Sequence, residues 1–364
     1  QWSSVSRQLV IAQKYSPEKQ IILITTIKSF YSTKFKNVIN LSDEEKLLIV
    51  DEAHRFTQRS DDLHKIYKYM LGLSATPVNG KNNEAGLDLI SFFGGQVFSL
   101  PIEEALDKKF LVPYNYYPIY VRAIEEEESK FSQISSKMAA CFRNGVLIDK
   151  DSFVKYVRAR LRILSMAEEK IDKIDDLLKV VEDKNHFVVY CGDGRLFDKG
   201  NDEIRHIQFV KEHLDRQGIK TSQFTASEDM DRRMELVDMF NKNEIAALVA
   251  IRCLDEGINI PSIKSALILS SNDDYREFVQ RRGRILRKYE GKVCANIYDV
   301  IVLPTTMSPK MAIIELRRFY EYAKLALNKN EQLLELDKLL QEYSLQLDDV
   351  MFYTEIDTEV DLDE

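Results

Sequence analysis

The sequence is poor in cysteine, and it contains neither a long apolar run nor an excess of positive charge. Its four cysteines are far apart and never form a C-x-x-C pair. This spacing argues against a zinc ribbon and a disulfide framework and favours a reducing cytosol. No stretch approaches the roughly 18 apolar residues of a membrane span, and no charged start precedes an apolar run as in a secretory signal. We therefore expect a cytoplasmic protein with no membrane partner.

Acidic residues outnumber basic ones, 59 to 51, but the excess is confined to the C-terminal end. Eight acids and no Lys or Arg lie between residues 348 and 364, so residues 1–347 carry balanced charge. A phosphate-binding basic patch is therefore compatible with the net charge of −8. The tail is open to two interpretations. It is a disordered solubilising end, or its alternating residues 355–363 form an acidic strip that competes with nucleic acid for a basic groove.

The chain of 364 residues is long enough for two or three domains. Its composition is that of an ordinary globular protein, with 45% hydrophobic and 30% charged residues.

Apolar strand signals alternate with helical signals in two parts of the chain. In the first part, the strand signals lie within residues 19–30, 46–50 and 69–73. In the second part, strands are predicted at 186–191, 221–226, 246–251, 265–271 and 294–303, and helices at 203–216, 229–241 and 275–285. Residues 120–183 have a period near 3.6 and predict a helical connection. This alternation indicates two α/β units with parallel sheets.

Two adjacent carboxylates, Asp51 and Glu52, directly follow the apolar run LLIV. Ligands of open α/β sheets bind at the carboxyl ends of strands. A site that hydrolyses a nucleoside triphosphate needs one acid to hold Mg²⁺ and another to orient and deprotonate the attacking water. The pair has the chemistry for both tasks.

Four strings occur in the order and approximate spacing of motifs II, III, V and VI of superfamily 2: LLIVDEAH, LGLSATP, LVAIRCLDEGINIP and FVQRRGRILR. The chain therefore resembles the DEAD/DEAH-box helicases and translocases of superfamily 2 over residues 1–305. The string YCGDGR, with the run that ends in YDVIVLP, is most similar to bacterial DEAH-box helicase-like proteins of DNA restriction and phage defence. This likeness favours DNA over RNA as the nucleic-acid partner, and proteins of a restriction complex as further partners.

The resemblance implies two RecA-like parallel-sheet lobes, the first truncated at its N-terminus, with a helical connection and a C-terminal helical extension. The expected parts are residues 1–118 (domain 1), 119–183 (helical connection), 184–305 (domain 2), 306–347 (helical extension) and 348–364 (acidic tail). The implied function is an ATP- and Mg²⁺-dependent motor that moves on DNA in restriction or repair.

The resemblance also assigns roles to single residues, by motif. Asp51 holds the metal, Glu52 is the base, and His54 couples the γ-phosphate to Ser74 and Thr76. Ser and Thr at those two positions are also typical helix caps. Motif VI supplies Gln280 and two arginine fingers, Arg284 and Arg287, which at i and i+3 of a helix share a face. The remaining assignments are nucleotide contacts at Asp255, Glu256 and Gly257, the choice between the two acids staying open, and nucleic-acid contacts at Thr25, Thr26, Thr225 and Arg252.

One required part is missing from the sequence. No stretch fits a Walker A loop, whose glycine-rich backbone and Lys hold the phosphates. Gln1 and Trp2 resemble the end of motif Ia, so we expect the start of the first lobe to precede residue 1 and this chain alone to be inactive. The alternative is a catalytically dead helicase fold that serves as a nucleic-acid-binding or regulatory scaffold.

Overall fold

The computed structural model describes residues 2–13, 15–16, 19–77, 84–181, 183–192, 194–197, 203–225, 227–251, 259–270, 275–306 and 309–351. The chain divides into two compact units, Gln1–Ser99 and Leu100–Glu364. Of the helices in the described residues, none has the length and apolar character needed to cross a membrane.

The first unit contains the helices α1 (Trp2–Gln13), α2 (Ile27–Phe30), α3 (Thr33–Ile39), α4 (Asp61–Ile66) and α5 (Glu84–Phe92), and the strands β1 (Leu47–Val50) and β2 (Tyr69–Gly72). The strands of the second unit are β3 (Tyr114–Arg122), β4 (Phe142–Arg143), β5 (Val146–Leu147), β6 (Phe187–Tyr190), β7 (Arg195–Phe197), β8 (Glu203–Arg205), β9 (Thr221–Phe224), β10 (Ala247–Ala250), β11 (Ser265–Ile268) and β12 (Ala295–Leu303). Its helices are α6 (Ile102–Asp107), α7 (Glu125–Ala140), α8 (Lys150–Ser165), α9 (Glu168–Asp172), α10 (Ile174–Val180), α11 (His206–Arg216), α12 (Met230–Asn241), α13 (Tyr275–Ile285), α14 (Pro309–Ala323), α15 (Lys329–Glu342) and α16 (Leu347–Met351).

In the first unit, β1 and β2 form a parallel pair in the register Leu47 to Tyr69 through Val50 to Gly72. The strands predicted at 46–50 and 69–73 are thus confirmed. One face of the pair is buried, since Leu48 and Val50 pack in the core of this unit. The other face is exposed, with Leu47, Ile49, Tyr69 and Leu71 between 39% and 59% accessible.

The prediction of a strand within residues 19–30 is wrong. Residues 19–26 are irregular, and Ile22 and Ile24 are 84% and 95% exposed. A β-strand needs a neighbouring strand for its backbone hydrogen bonds, and none of the described strands pairs with this segment. Helix α2 begins directly after it.

The second unit is built on a six-stranded parallel sheet in the order β3, β12, β11, β6, β10, β9. The five strands predicted for this unit are confirmed, each trimmed by a few residues, and so is the helix predicted at 275–285. Both sheet faces are covered, because alternate strand residues enter two separate cores. Val188 and Tyr190 lie in one core and Phe187 and Val189 in the other, as expected for a sheet with helices on both sides.

The predicted domain boundary at residue 118 and the predicted helical connection both need correction. Strand β3 was placed partly in domain 1 and partly in the helical connection, but it pairs with β12 along nine residues. The boundary between the units lies at Ser99 and Leu100, not at residue 118. Helices α7 to α10 therefore lie between two strands of one sheet, so the predicted connection is an insertion within the second unit.

Helix α14 is fixed to β12 by a buried ionic network. Arg318 donates to both carboxylate oxygens of Asp299, at 3.1 and 3.0 Å, and to both of Glu315, each at 2.8 Å. These side chains are at most 3% exposed. Since removing one partner leaves an uncompensated buried charge, the network ties the C-terminal helices to the sheet.

The C-terminal helical extension is confirmed, with α14 and α15 separated near residue 328 as predicted. The acidic tail begins later than expected. Residues Asp348 and Asp349 belong to α16, whose Val350 is fully buried in a core of the second unit. Both interpretations of the strip at 355–363 concern residues outside the described part of the chain.

Candidate functional site: a strand-end acid pair and an arginine helix

The acidic pair lies where β1 ends. Val50, the last strand residue, is buried, whereas Asp51 is exposed. Glu52 has left-handed backbone angles, φ 48° and ψ 50°, which are uncommon for a residue other than glycine and often mark functional sites. Its amide donates to Asp51 Oδ1 at 3.0 Å. This turn leads the chain from the strand into a 3₁₀ turn, Ala53–Arg55.

The 3₁₀ turn places His54 between an acid and a hydroxyl. Its Nδ1 lies 3.4 Å from Glu52 Oε2 and 3.2 Å from Ser74 Oγ. The amide of Thr76 donates to the same Ser74 hydroxyl at 3.3 Å. The His54 side chain is 6% exposed. Glu52, His54, Ser74 and Thr76 thus form one connected group, which we call the acid–histidine–serine chain.

Backbone pairing explains why this group forms. Beyond β1 and β2, the Leu73 amide donates to the Val50 carbonyl and the Ala53 amide donates to the Leu73 carbonyl, both at 2.8 Å. These two bonds continue the parallel ladder past the strand ends. They hold the loop after β1 against the loop after β2, although the histidine and the serine are 20 residues apart in sequence.

The donor set around Asp51 fits a nucleotide-bound Mg²⁺. Within the described residues, no three His, Cys, Asp or Glu side chains are grouped to hold a metal ion. Mg²⁺ does not require such a cage, because it commonly binds one or two carboxylates, waters and substrate phosphates. An exposed Asp51 beside Glu52 fits this mode. These residues would hold the ion, which supplies charge neutralisation at the phosphates.

Helix α13 carries the arginine motif, and two of its arginines are structural. Arg281 is 2% exposed, pairs with Glu277 at 2.7 Å, donates to the Ser270 carbonyl at 3.0 Å and stacks over the Tyr190 ring. Arg282 is 1% exposed and donates to the carbonyl of Glu321 in α14. The first fixes the helix to the sheet and the second fixes it to α14.

The two predicted fingers, Arg284 and Arg287, are more accessible than these anchors. Helix α13 ends at Ile285, so the expectation that both fingers lie on one helix face is wrong. Arg287 instead forms an isolated bridge with Leu111 and donates to Asn259 Oδ1. Partial burial, and then the charge of Arg284, lower the pKa of Arg287. Gln280 is half-buried in the same helix.

Lys292 fixes the chain reversal after α13. Its Nζ donates to the carbonyls of Ile285, Arg287 and Pro261, the last two at 2.9 and 3.3 Å. Burial lowers the pKa of Lys292 to about 8. Lys292 was not predicted from the sequence. A lysine a few positions after a helix commonly binds the last carbonyls of that helix, and this signal was available.

The predicted nucleic-acid contacts have local structural roles. Thr26 caps α2, its hydroxyl accepting from the Ser29 amide at 3.2 Å, and Thr25 is exposed beside it. Thr225 is 5% exposed, and its hydroxyl binds Ser227 at 2.6 Å and Glu228 at 2.8 Å. A direct phosphate contact through this buried hydroxyl is therefore disfavoured. Four further predicted residues, Arg252, Asp255, Glu256 and Gly257, lie outside the described residues.

Comparison with known proteins gives two matching family models. Residues 4–79 match the type III restriction enzyme res subunit, and residues 169–289 match the helicase conserved C-terminal domain. A DNA 3'-5' translocase XPB2 of Sulfurisphaera tokodaii is 25% identical over 71% of this chain and 59% of its own. A helicase-like protein of Sulfolobus islandicus filamentous virus is 24% identical over 78% of this chain and 48% of its own.

One solved structure, the ATP-dependent type ISP restriction-modification enzyme LlaBIII bound to DNA, has a TM-score of 0.51 at 18% identity. The match covers 88% of this chain and 24% of that one, and it supports the fold alone. These findings and the fold support one class: in both units the chain is similar to the superfamily 2 helicases. The restriction-enzyme likeness by sequence covers residues 4–79 of the chain. The chain spans about half the length of the two curated relatives given above.

Proposed function

We propose that this chain is the motor part of an ATP-dependent DNA translocase or helicase that acts in DNA restriction or repair. The single observation that carries the proposal is the acid–histidine–serine chain at the end of β1. Its Glu52 carboxylate, 3.4 Å from His54, has the position of a general base, and a neighbouring exposed Asp51 supplies the metal-side acid.

In this proposal, Glu52 orients and deprotonates the water that attacks the γ-phosphate. His54 links that carboxylate to Ser74, so a change at the phosphate reaches the loop after β2. Arg284 and Arg287 supply positive charge to the transferring phosphoryl group, a role that suits the planar and always-charged guanidinium. ATP and Mg²⁺ are the expected cofactors, and the ion neutralises charge on the phosphates.

DNA is the proposed nucleic-acid partner, because the translocase relative is named for DNA and the restriction enzyme of similar fold was solved bound to DNA. We also propose that the protein binds other proteins of a restriction complex and lies in the cytoplasm.

The sequence contains no Walker A loop, so we propose that these 364 residues alone hydrolyse ATP negligibly. The test is release of inorganic phosphate by the chain, with and without DNA. Turnover of ~1 s⁻¹ or more, the low end of ordinary enzyme rates, contradicts this part of the proposal. We call a protein that joins this chain to a Walker A loop the complete motor, and it should hydrolyse ATP when DNA is added.

The missing Walker A loop also favours a second candidate, a nucleic-acid-binding scaffold without catalysis. The complete motor discriminates between the two. A scaffold binds DNA with unchanged affinity whether or not ATP is present and releases no phosphate, whereas a motor releases phosphate and is stimulated by DNA.

A further inference from the structure

The insertion in the second unit carries a concentration of positive charge. Residues 129–165 contain eight Lys and Arg and two Asp, in a chain whose net charge is −8. They comprise most of α7, the short hairpin β4 and β5, and α8. We call this segment the basic hairpin. Its charge is opposite to that of the chain as a whole, so the segment is a candidate for binding a polyanion.

The basic hairpin has its own core, so its surface is preorganised. Met138 and Cys141 from one side pack with Phe153, Val157 and Leu161 of α8. Its tip is a tight turn at Asn144 and Gly145, with φ of 53° and 80°. Positive φ at both positions is typical of a two-residue hairpin turn.

Arg160 joins the two helices. It is 4% exposed, stacks 5.0 Å from the centre of the Phe131 ring and donates to Ser135 Oγ. Of the basic residues of α8, Arg160 is buried and the others are exposed.

The outer face of α8 is a basic stripe. Lys155, Arg158 and Arg162 are all exposed, and their spacing of three and four residues places them on one side of the helix. That side is opposite to Phe153, Val157 and Leu161, which are buried. Asp151, one turn earlier, lies on the same face in the first turn of the helix. A negative charge at this position interacts favourably with the helix dipole. The acids of α7 cluster in its first turn, at residues 125–128.

We propose that the basic stripe of the hairpin binds the phosphate backbone of nucleic acid. Lys155 and Arg162 are seven positions apart, which is about 10 Å along a helix, and successive phosphates of one B-DNA strand advance ~3.4 Å along the duplex axis. Three basic side chains thus face about three phosphates. Backbone contacts of this kind set affinity and position and do not read sequence. The inference deepens the proposed function and rests on its nucleic-acid partner.

The test is binding of the whole chain to a labelled 20-nucleotide DNA, single- and double-stranded, by fluorescence anisotropy between 50 and 200 mM salt. The hairpin variant is Lys155→Gln, Arg158→Gln and Arg162→Gln. The matched control is Lys179→Gln, Arg216→Gln and Lys242→Gln, which removes the same charge from exposed positions at the C-terminal ends of other helices. Gln has nearly the helix propensity of Lys and Arg, and far-UV circular dichroism checks that both variants are folded.

The hairpin variant should bind at least ~10-fold more weakly at 50 mM salt. Its slope of log affinity against log salt should fall by about 2 to 3, since each phosphate contact contributes ~0.7 to 0.9. The control should bind within ~2-fold of the unmodified chain with the same slope. If the triple hairpin variant is unfolded, the double variant Lys155→Gln and Arg162→Gln is used instead. Its slope should fall by about two thirds of the decrease expected for the triple variant.

Three results overturn the inference. If the hairpin and control variants weaken binding equally, the stripe has no special role while the proposed function stands. If poly-L-glutamate displaces DNA at equal charge concentration, the partner is an acidic polypeptide and not nucleic acid. If the unmodified chain does not bind DNA at 50 mM salt, both the inference and the DNA partner of the proposed function fail.

Discussion

His54 Nδ1 lies 3.2 Å from Ser74 Oγ, and this contact joins the loop after β1 to the loop after β2. The hydroxyl also accepts from the Thr76 amide, so one serine connects the histidine to the backbone of the second loop. We propose that a displacement of the histidine is transmitted to that loop through Ser74, which would give the predicted coupling role a physical basis.

Ser74→Ala should uncouple hydrolysis from DNA in the complete motor. The substitution removes a half-buried hydrogen-bond partner of both His54 and the Thr76 amide, which costs about 1 kcal/mol of stability. We expect DNA to stimulate phosphate release much less, while basal hydrolysis is retained. Ser74→Thr, which keeps a hydroxyl, is the control. Full stimulation of the alanine variant would show that the serine only caps its loop.

Glu52→Gln should abolish hydrolysis in the complete motor and leave ATP binding nearly intact, because the amide keeps the shape of the side chain but cannot take a proton. Single-turnover phosphate release and equilibrium binding of a fluorescent ATP analogue measure the two effects. Glu44→Gln, at an exposed acid upstream of β1, should change neither. Equal turnover of the Glu52 variant and the unmodified motor would remove Glu52 from the reaction.

Substitutions at Arg281 of α13 and at Arg287, just after this helix, should have opposite effects. Arg287→Ala should lower turnover by ~10³-fold or more if the guanidinium stabilises the transferring phosphoryl group, and the fold should survive. Arg281→Ala leaves Glu277, 8% exposed, without its ion pair, so it should lower the free energy of unfolding by about 3 to 5 kcal/mol. Urea unfolding and ATPase rates together separate the two effects. An Arg287 variant with full DNA-stimulated turnover is incompatible with the finger assignment.

The strands that the sequence predicted well are short and uniformly apolar, such as residues 247–250, which are buried on both sides. Strand β3 was missed because YNYYPIYVR mixes aromatic, amide and proline residues and has no clear period. Its Pro118 is tolerated because β3 is an edge strand. Asp51 and Glu52 could be predicted as candidate site residues because they directly follow an apolar strand. The structural roles of Arg281 and Arg282 could not be predicted, because their partners are distant in sequence. Arg281 contacts Tyr190 and the Ser270 carbonyl, and Arg282 contacts the Glu321 carbonyl of α14.

Stability should fall in mild acid because of His206. This side chain is 1% exposed, and its pKa is lowered to about 4, chiefly by burial and then by the charge of Lys170. Between pH 6.5 and 4, His206 binds a proton in the unfolded chain but not in the folded chain. Stability therefore decreases as pH falls through this window. The loss from this group is on the order of 3 kcal/mol. Urea midpoints at pH 7 and pH 5 should show roughly 2 kcal/mol of this loss, because pH 5 lies roughly 1.5 units below the ordinary histidine pKa. His206→Gln should flatten this dependence, whereas His64→Gln, at an exposed position, should not.

Lys292→Met should weaken the complete motor through Arg287. The lysine donates to the carbonyls of Arg287 and Ile285, and methionine keeps an unbranched chain without donors. A displacement of ~1 Å at a catalytic group can cost ~10²-fold in rate, so we expect turnover to fall by about 10- to 100-fold with a smaller change in KM for ATP. Lys288→Met, at an exposed position one residue after the finger, should leave turnover unchanged. Loss of a buried carbonyl's donor also costs about 1 to 3 kcal/mol, which urea unfolding of the chain measures. A misplaced Arg287 finger must lower the rate. A Lys292 variant that unfolds more easily but turns over at the normal rate would therefore show that this lysine only caps α13.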